Sequence, residues 1–138
     1  MFRRILVPVD FTPRSGRVVR TAARLAANSK AATTLLHVIE RIDADAPGSL
    51  SGFYRKLEKN ARRNMAELLE EFTKKGLDAR AEVLYGSRVN EILRYAEEQK
   101  IDLIVMSSHK LPVRGGENWG TISYKVGILA RCPVMLVK

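Results

Sequence analysis

The stretch "ILVPVDFTP", Ile5 to Pro13, runs from an unbroken apolar segment to an aspartate and then to a Thr-Pro pair. An unbroken apolar run, as opposed to an alternating one, is what a parallel strand covered on both faces requires. Pro8 cannot donate to a ladder and predicts an irregular strand end. Thr12 and Pro13 then predict a helix start, with Thr12 as N-cap and Pro13 at the first helical position. Val18, Ala22, Leu25 and Ala26 follow at helical spacing and form its inward stripe.

The same alternation continues along the chain. "ATTLLHVIE" reads as a second strand through Ile39, and "RIDADAPGSLSG" has the turn-residue density of a loop. Phe53, Leu57, Ala61, Met65, Leu68 and Phe72 step by fours and threes and predict a long helix that stops at Gly76. "DARAEVLYG" is a third strand with a shorter apolar run, expected near a sheet edge. Ser87 is expected to cap a helix that turns Val89, Ile92, Leu93 and Ala96 inward. "DLIVM" is the fourth and most apolar strand. A last helix begins near Gly120 and ends before Cys132, and "PVMLVK" closes a fifth strand.

Five strands and four helices in regular alternation predict an α/β fold: a three-layer, doubly wound, five-stranded parallel sheet of Rossmann-like type, as one domain over residues 1–138. Ligands of such sheets bind at the carboxyl ends of the strands, where strand order reverses. The loops that matter therefore follow Val9, Ile39, Tyr85 and Met106.

Composition narrows the function. The opening "MFRRILVPVD" breaks at Pro8 and Asp10, too soon for a signal peptide or a membrane span, so a cytoplasmic protein without membrane insertion is expected. The single cysteine, Cys132, has no internal disulfide partner and reads as a packed thiol. No Cys/His cluster has metal-ligand spacing. The 24 Lys and Arg against 15 Asp and Glu leave a charge of +9, which would suit a polyanion partner. Yet the basic residues are spread over all elements without interleaved aromatics, so specific nucleic-acid binding is not expected. Arg14, Arg17, Arg20 and Arg24 share a helix face that reads as solvated.

Two loops carry candidate chemistry. "VDFTPRSG" contains neither a dinucleotide fingerprint nor a Walker A sequence. Asp10 can accept from a sugar or an adenine amine, or it can support the turn at Thr12. After the fourth strand come Ser107, Ser108, His109 and Lys110, then Gly115 and Gly116, then Gly120, Thr121 and Ser123. Free N–H groups and the dipole at that helix start suit an anion, and an ordinary capped helix would use the same residues. No G-x-S-x-G sequence supports a serine nucleophile, and no catalytic residue is assigned. His37, inside an apolar strand, reads as a satisfied core residue.

The whole chain resembles the universal stress proteins. The resemblance rests on "RILVPVDFT", "LLHVIE", "YGSRVNEILRYAEEQKIDLIVMSSH", "WGTIS" and "ARCPVMLVK", in that order. It implies a five-stranded parallel fold like that of the adenine nucleotide alpha-hydrolases, usually dimeric, with ATP-binding and non-binding branches. The binding branch is marked by glycine, two residues, glycine, nine residues, then glycine with Ser or Thr. Here Gly120 and Thr121 keep the final pair, while Ser107 and Lys110 replace the first two glycines.

By that resemblance the nucleotide contacts would be Val9 and Asp10, Val38 at the adenine wall, Met106, Ser107, His109 and Lys110, and Gly120, Thr121, Ile122 and Ser123 near the phosphates. Lys110 either obstructs the cradle or supplies a phosphate charge. Trp119 stands where the family has leucine and reads as an aromatic pin. The expected function is a non-enzymatic stress-response module holding ATP or AMP, with magnesium, and a homodimer through its C-terminal strand with a further protein partner of unknown identity. A ligand-independent dimer with a vestigial site is the alternative, and a slow nucleotide hydrolase a third reading.

Overall fold

In the computed structural model, which describes residues 1–41, 51–108 and 121–138, strand and helix alternate. The elements are β1 (Arg4–Pro8), α1 (Ser15–Ser29), β2 (Ala32–Ile39), α2 (Ser51–Thr73), β3 (Ala79–Tyr85), α3 (Arg88–Glu98), β4 (Leu103–Ser107), α4 (Ile122–Leu129) and β5 (Val134–Val137). The strands form one sheet in the order β3-β2-β1-β4-β5, and every pairing is parallel. The chain thus winds outward from β1 through β2 to β3, crosses back over β1, and winds the other way through β4 to β5.

Period-two alternation divides the core between the two faces of this sheet. Ile5, Val7, Leu35 and Val105 pack with Val18, Val19, Met65 and Phe72 of α1 and α2. Leu6, Leu36, Ile104 and Met106 pack with Ile92, Tyr95 and Val126 of α3 and α4. Ile5, Leu6 and Val7 are all fully buried, as the unbroken apolar run of β1 requires. The three layers and the edge positions of β3 and β5 agree with the sequence reading.

Three local expectations are corrected. Helix α1 begins at Ser15, not beside Thr12, and its N-cap residue Arg14 makes no side-chain cap bond. The chain turns first at Phe11, which sits in the left-handed region at φ 61°. The Asp10 carboxylate accepts the Thr12 N–H at 3.1 Å and the Ser15 hydroxyl at 3.3 Å, so this turn displaces the helix start.

The first turns of α2 are also rotated from the expected stripe. Phe53 and Leu57 are 54% and 37% exposed, whereas Tyr54 is buried. Tyr54 turns inward because its ring meets Tyr85 of β3 edge-on at 6.4 Å, while the Tyr85 hydroxyl donates to Glu58 at 2.7 Å. From Ala61 through Met65 to Phe72 the expected stripe is buried. Gly76 follows the helix at φ 67°, a conformation that strains any residue with a Cβ.

Ser87 occupies the N-cap position of α3 but its side chain makes no cap bond. Glu40, after β2, serves instead: its carboxylate accepts the Arg88 N–H at 3.1 Å. A carboxylate there also favours the positive end of the helix dipole.

Thr33 of β2 is 2% exposed, on the α1/α2 side of the sheet, and its hydroxyl has no hydrogen-bond partner among the described residues. A buried, unmet hydroxyl costs on the order of 1–3 kcal/mol. Thr33→Val, which keeps the branched shape and removes the hydroxyl, is expected to stabilise the protein by about 1 kcal/mol. Urea denaturation would read this as a raised midpoint at unchanged slope; a lowered midpoint would mean the hydroxyl has a partner in solution.

Candidate functional site

The winding reverses between β1 and β4, and the residues leaving these two strands diverge there. The resulting pocket encloses about 540 Å³, part of it open to solvent. Its wall is apolar, from Leu36 and Val38 of β2, Ile92 of α3 and Met106 of β4. Asp10, Ser107, Ser123 and Arg88 contribute polar groups. This mixture of apolar wall and few polar groups is the usual make-up of a small-molecule site.

Of the residues expected from sequence, Val9, Asp10, Val38, Met106, Ser107, Ile122 and Ser123 line this one pocket. Thr121 is not among its lining residues. It is the N-cap of α4, its hydroxyl accepting the Tyr124 N–H at 3.3 Å. His109, Lys110 and Gly120 lie outside the described residues, as do Gly115, Gly116 and Trp119.

Arg88 was not singled out from the sequence, although it lines the pocket. It is the first residue of α3, and the loop after Tyr85 was among those expected to face a ligand. The missing step was that α3 crosses to the same side of the sheet as α4. Leu36 and Ile92 were likewise legible as core residues and only the fold makes them pocket wall.

The exit of β1 is held from behind. His37 Nδ1 lies 2.8 Å from the Val9 carbonyl. A carbonyl only accepts, so Nδ1 carries the proton and donates. The ring stacks obliquely on Phe11 at 4.4 Å between centroids. Burial lowers the His37 pKa; the Val9 bond pulls it up, the Arg88 charge pulls it further down, and Asp10 opposes that. His37 is therefore satisfied as expected, although it is half-buried and outside the core, and it fixes the backbone next to Asp10.

The basic face of α1 is not wholly solvated. Arg14 donates to the Ser108 carbonyl at 3.2 Å and Arg17 to the Lys138 carbonyl at 2.7 Å, so two of its arginines tie down the ends of β4 and β5. Cys132 is half-buried against the α3/α4 cluster, and burial pushes its thiol pKa up, which disfavours the reactive thiolate. Among the described residues no group of His, Cys, Asp and Glu could hold a metal ion, and no helix is long and apolar enough to cross a membrane.

A parallel, doubly wound sheet with its pocket at the switch point puts the chain in the Rossmann-like α/β class. Within that class the sequence matches the universal stress protein family over residues 1–138, and the chain belongs to that family. It is 29% identical over 149 residues to the universal stress protein YxiE of Bacillus subtilis, covering all of both chains. Its fold is similar to that of a universal stress protein in complex with cAMP (TM-score 0.82, 20% identity, covering 99% of this chain and 97% of the other). It is also similar to the Archaeoglobus fulgidus universal stress protein in complex with dAMP (TM-score 0.75, 19% identity, 99% and 98%).

The lowered His37 pKa makes stability depend on pH with a definite sign. The unfolded chain takes up a proton near the ordinary value of about 6.5, above the folded value, so unfolding binds protons in that window. Stability from this group is full above about pH 6.5 and is lost as pH falls through the folded pKa. Denaturation midpoints measured across that window should fall on acidification in the wild type and respond less in His37→Asn. Equal slopes in the two proteins would contradict the assignment.

Proposed function

We propose that the pocket between β1 and β4 binds an adenine nucleotide and that the protein works as a nucleotide-responsive stress module without turnover. The observation that carries this reading is the convergence of Val9, Asp10, Val38, Met106, Ser107, Ile122 and Ser123 on one pocket. The apolar wall of Val38, Ile92 and Met106 suits a flat base, and Asp10 offers an acceptor for a ribose hydroxyl or an adenine amine. Ser123 and the start of α4 suit the phosphate end. The cAMP and dAMP complexes of two proteins with this fold support the same ligand class.

AMP is the better fit than ATP with magnesium. The glycines that would give a polyphosphate close access to the backbone are Ser107 and Lys110 in this chain. Ser107→Gly with Lys110→Gly therefore favours ATP if those side chains obstruct it, and weakens ATP if Lys110 supplies a phosphate contact. The protein is expected to act in the cytoplasm.

A homodimer through β5 completes the proposal. This four-residue strand is one of the two edges of the sheet, and its Met135 and Leu136 are 36% and 43% exposed. Ile128 and Leu129 of α4 extend the apolar surface beside it, at 66% and 58%. Pairing with a second copy would cover both the apolar side chains and the unpaired strand edge. The protein partner such a dimer would serve is unidentified.

Calorimetry with AMP and with ATP, each with and without magnesium, tests the nucleotide reading. Saturable binding is expected, and Ser123→Ala should weaken it by about 1 kcal/mol, the net worth of one hydrogen bond. No binding of either nucleotide would make the site vestigial, and accumulation of ADP from ATP would favour the hydrolase. For the dimer, sedimentation equilibrium should give twice the chain mass for the wild type and the single mass for Leu136→Lys; a wild-type monomer would refute it.

A further inference from the structure

We propose that the amino ends of the strands carry a second ligand site, in which Arg4 and Arg80 clamp a small phosphate-class dianion over Thr34. This site lies at the opposite end of the sheet from the nucleotide pocket. Its cavity encloses about 680 Å³, part of it open to solvent, and its polar lining comprises Arg4, Thr34, Asp78, Arg80 and Gln99 besides Thr33.

The strand register brings the two arginines to one face. Arg4 of β1 pairs with Ala32 of β2, and Thr34, two residues on, pairs with Arg80 of β3. Residues two apart on a strand, and partners in parallel register, point the same way. Arg4, Thr34 and Arg80 therefore all face α3. There both guanidinium groups meet the residue that ends that helix. Arg4 donates to the Gln99 carbonyl at 3.0 Å, and Arg80 donates to Gln99 Oε1 at 3.5 Å and to the Tyr95 hydroxyl at 3.2 Å.

One guanidinium at a helix carboxyl end is accounted for by the bare carbonyls and the dipole there. The second arrives from another strand and brings a like charge to the same neutral residue; both arginines are exposed, so solvent screens the two charges and a ligand can reach them. Among the described residues neither arginine has a carboxylate within ion-pair distance; the ion pairs involve Arg62, Lys74, Arg94 and Arg131. The Asp102 carboxylate is engaged by the Arg3 and Arg4 backbone N–H groups at 2.8 and 3.0 Å. Asp78 also lines the pocket, and its negative charge opposes an anion there.

Thr34 supplies the independent observation. It is 7% exposed, lines the pocket, and its hydroxyl makes no hydrogen bond among the described residues. A ligand oxygen would give that hydroxyl an acceptor. Each guanidinium has five N–H donors, of which the bonds described use one or two, so both forks retain donors for an oxyanion. Two fixed positive charges match a phosphate monoester, which is close to doubly charged at neutral pH.

The test uses the full chain labelled with nitrogen-15 and titrated with inorganic phosphate, followed at the amides of Thr34, Arg80 and Gln99. Saturable shifts are expected there, with sodium chloride and sodium acetate at matched ionic strength producing none. Arg80→Gln should weaken the phosphate response by about tenfold or more, as expected for a lost charged hydrogen bond, and Arg4→Gln with Arg80→Gln should abolish it. Cooperative thermal unfolding of both variants and unchanged AMP titration would show that the fold and the other pocket are intact. The proposal is overturned if the shifts do not saturate, if acetate or chloride matches phosphate, or if the folded double variant titrates like the wild type.

Discussion

Putting β1 in the middle of the sheet, with β2 on one side and β4 on the other, constrains nearly everything else in this molecule. The middle of a strand with neighbours on both edges and helices on both faces has no contact with water, so every side chain from Ile5 to Val7 must be apolar. The chain must also leave β1 toward one side and later return toward the other. The segments leaving β1 and β4 then part from each other, and a crevice opens between them that no short connection can close. The pocket is thus a consequence of winding order, and the sequence needs only to furnish its lining.

Asp10 shows how local structure and site share one residue. Its carboxylate holds the turn that Phe11 makes in the left-handed region, through the Thr12 N–H and the Ser15 hydroxyl. An ionised carboxylate has about four acceptor directions, so a role in the turn does not by itself exclude one toward a ligand. Turn support and ligand binding, which look like alternatives in the sequence, are compatible in the fold. The His37 bond to the Val9 carbonyl adds a second fixed point one residue earlier. Between them these contacts fix the backbone where the pocket begins, so a ligand bound there would find that backbone already ordered.

The β1 run and the order of elements could be read from sequence because each depends on neighbours close in the chain, whereas most of the pocket lining was expected only through the family resemblance. The departures arise where a distant partner decides. Phe53 and Leu57 fit the helical period, but Tyr54 is the residue that finds Tyr85, on a strand 31 positions away. Thr12 and Pro13 have the composition of a helix start, and the Asp10 carboxylate one turn earlier moves that start to Ser15. Arg88 becomes a pocket residue only when α3 crosses to the face that carries α4. Periodicity reports the environment along one element, and it holds no information about which strand that element will meet.

The positive charge of the chain also takes on a different meaning once the elements are assembled. Spread along the sequence it resembles general surface charge, without the clustering that nucleic-acid binding needs. In the fold, Arg14 and Arg17 reach carbonyls at the carboxyl ends of β4 and β5, and Arg4 reaches the carbonyl that ends α3. Backbone carbonyls at the ends of strands and helices lack ladder partners, and a guanidinium can meet them from a distance because its donors are spread over a planar fork. These three arginines thus fasten the ends of the secondary structure. Arg80 goes beyond that role, since its donors meet a tyrosine hydroxyl and a glutamine side chain and no backbone carbonyl. Fastening of element ends explains Arg4, Arg14 and Arg17, and Arg80, which meets side chains beside Arg4 at the end of α3, stands outside that role.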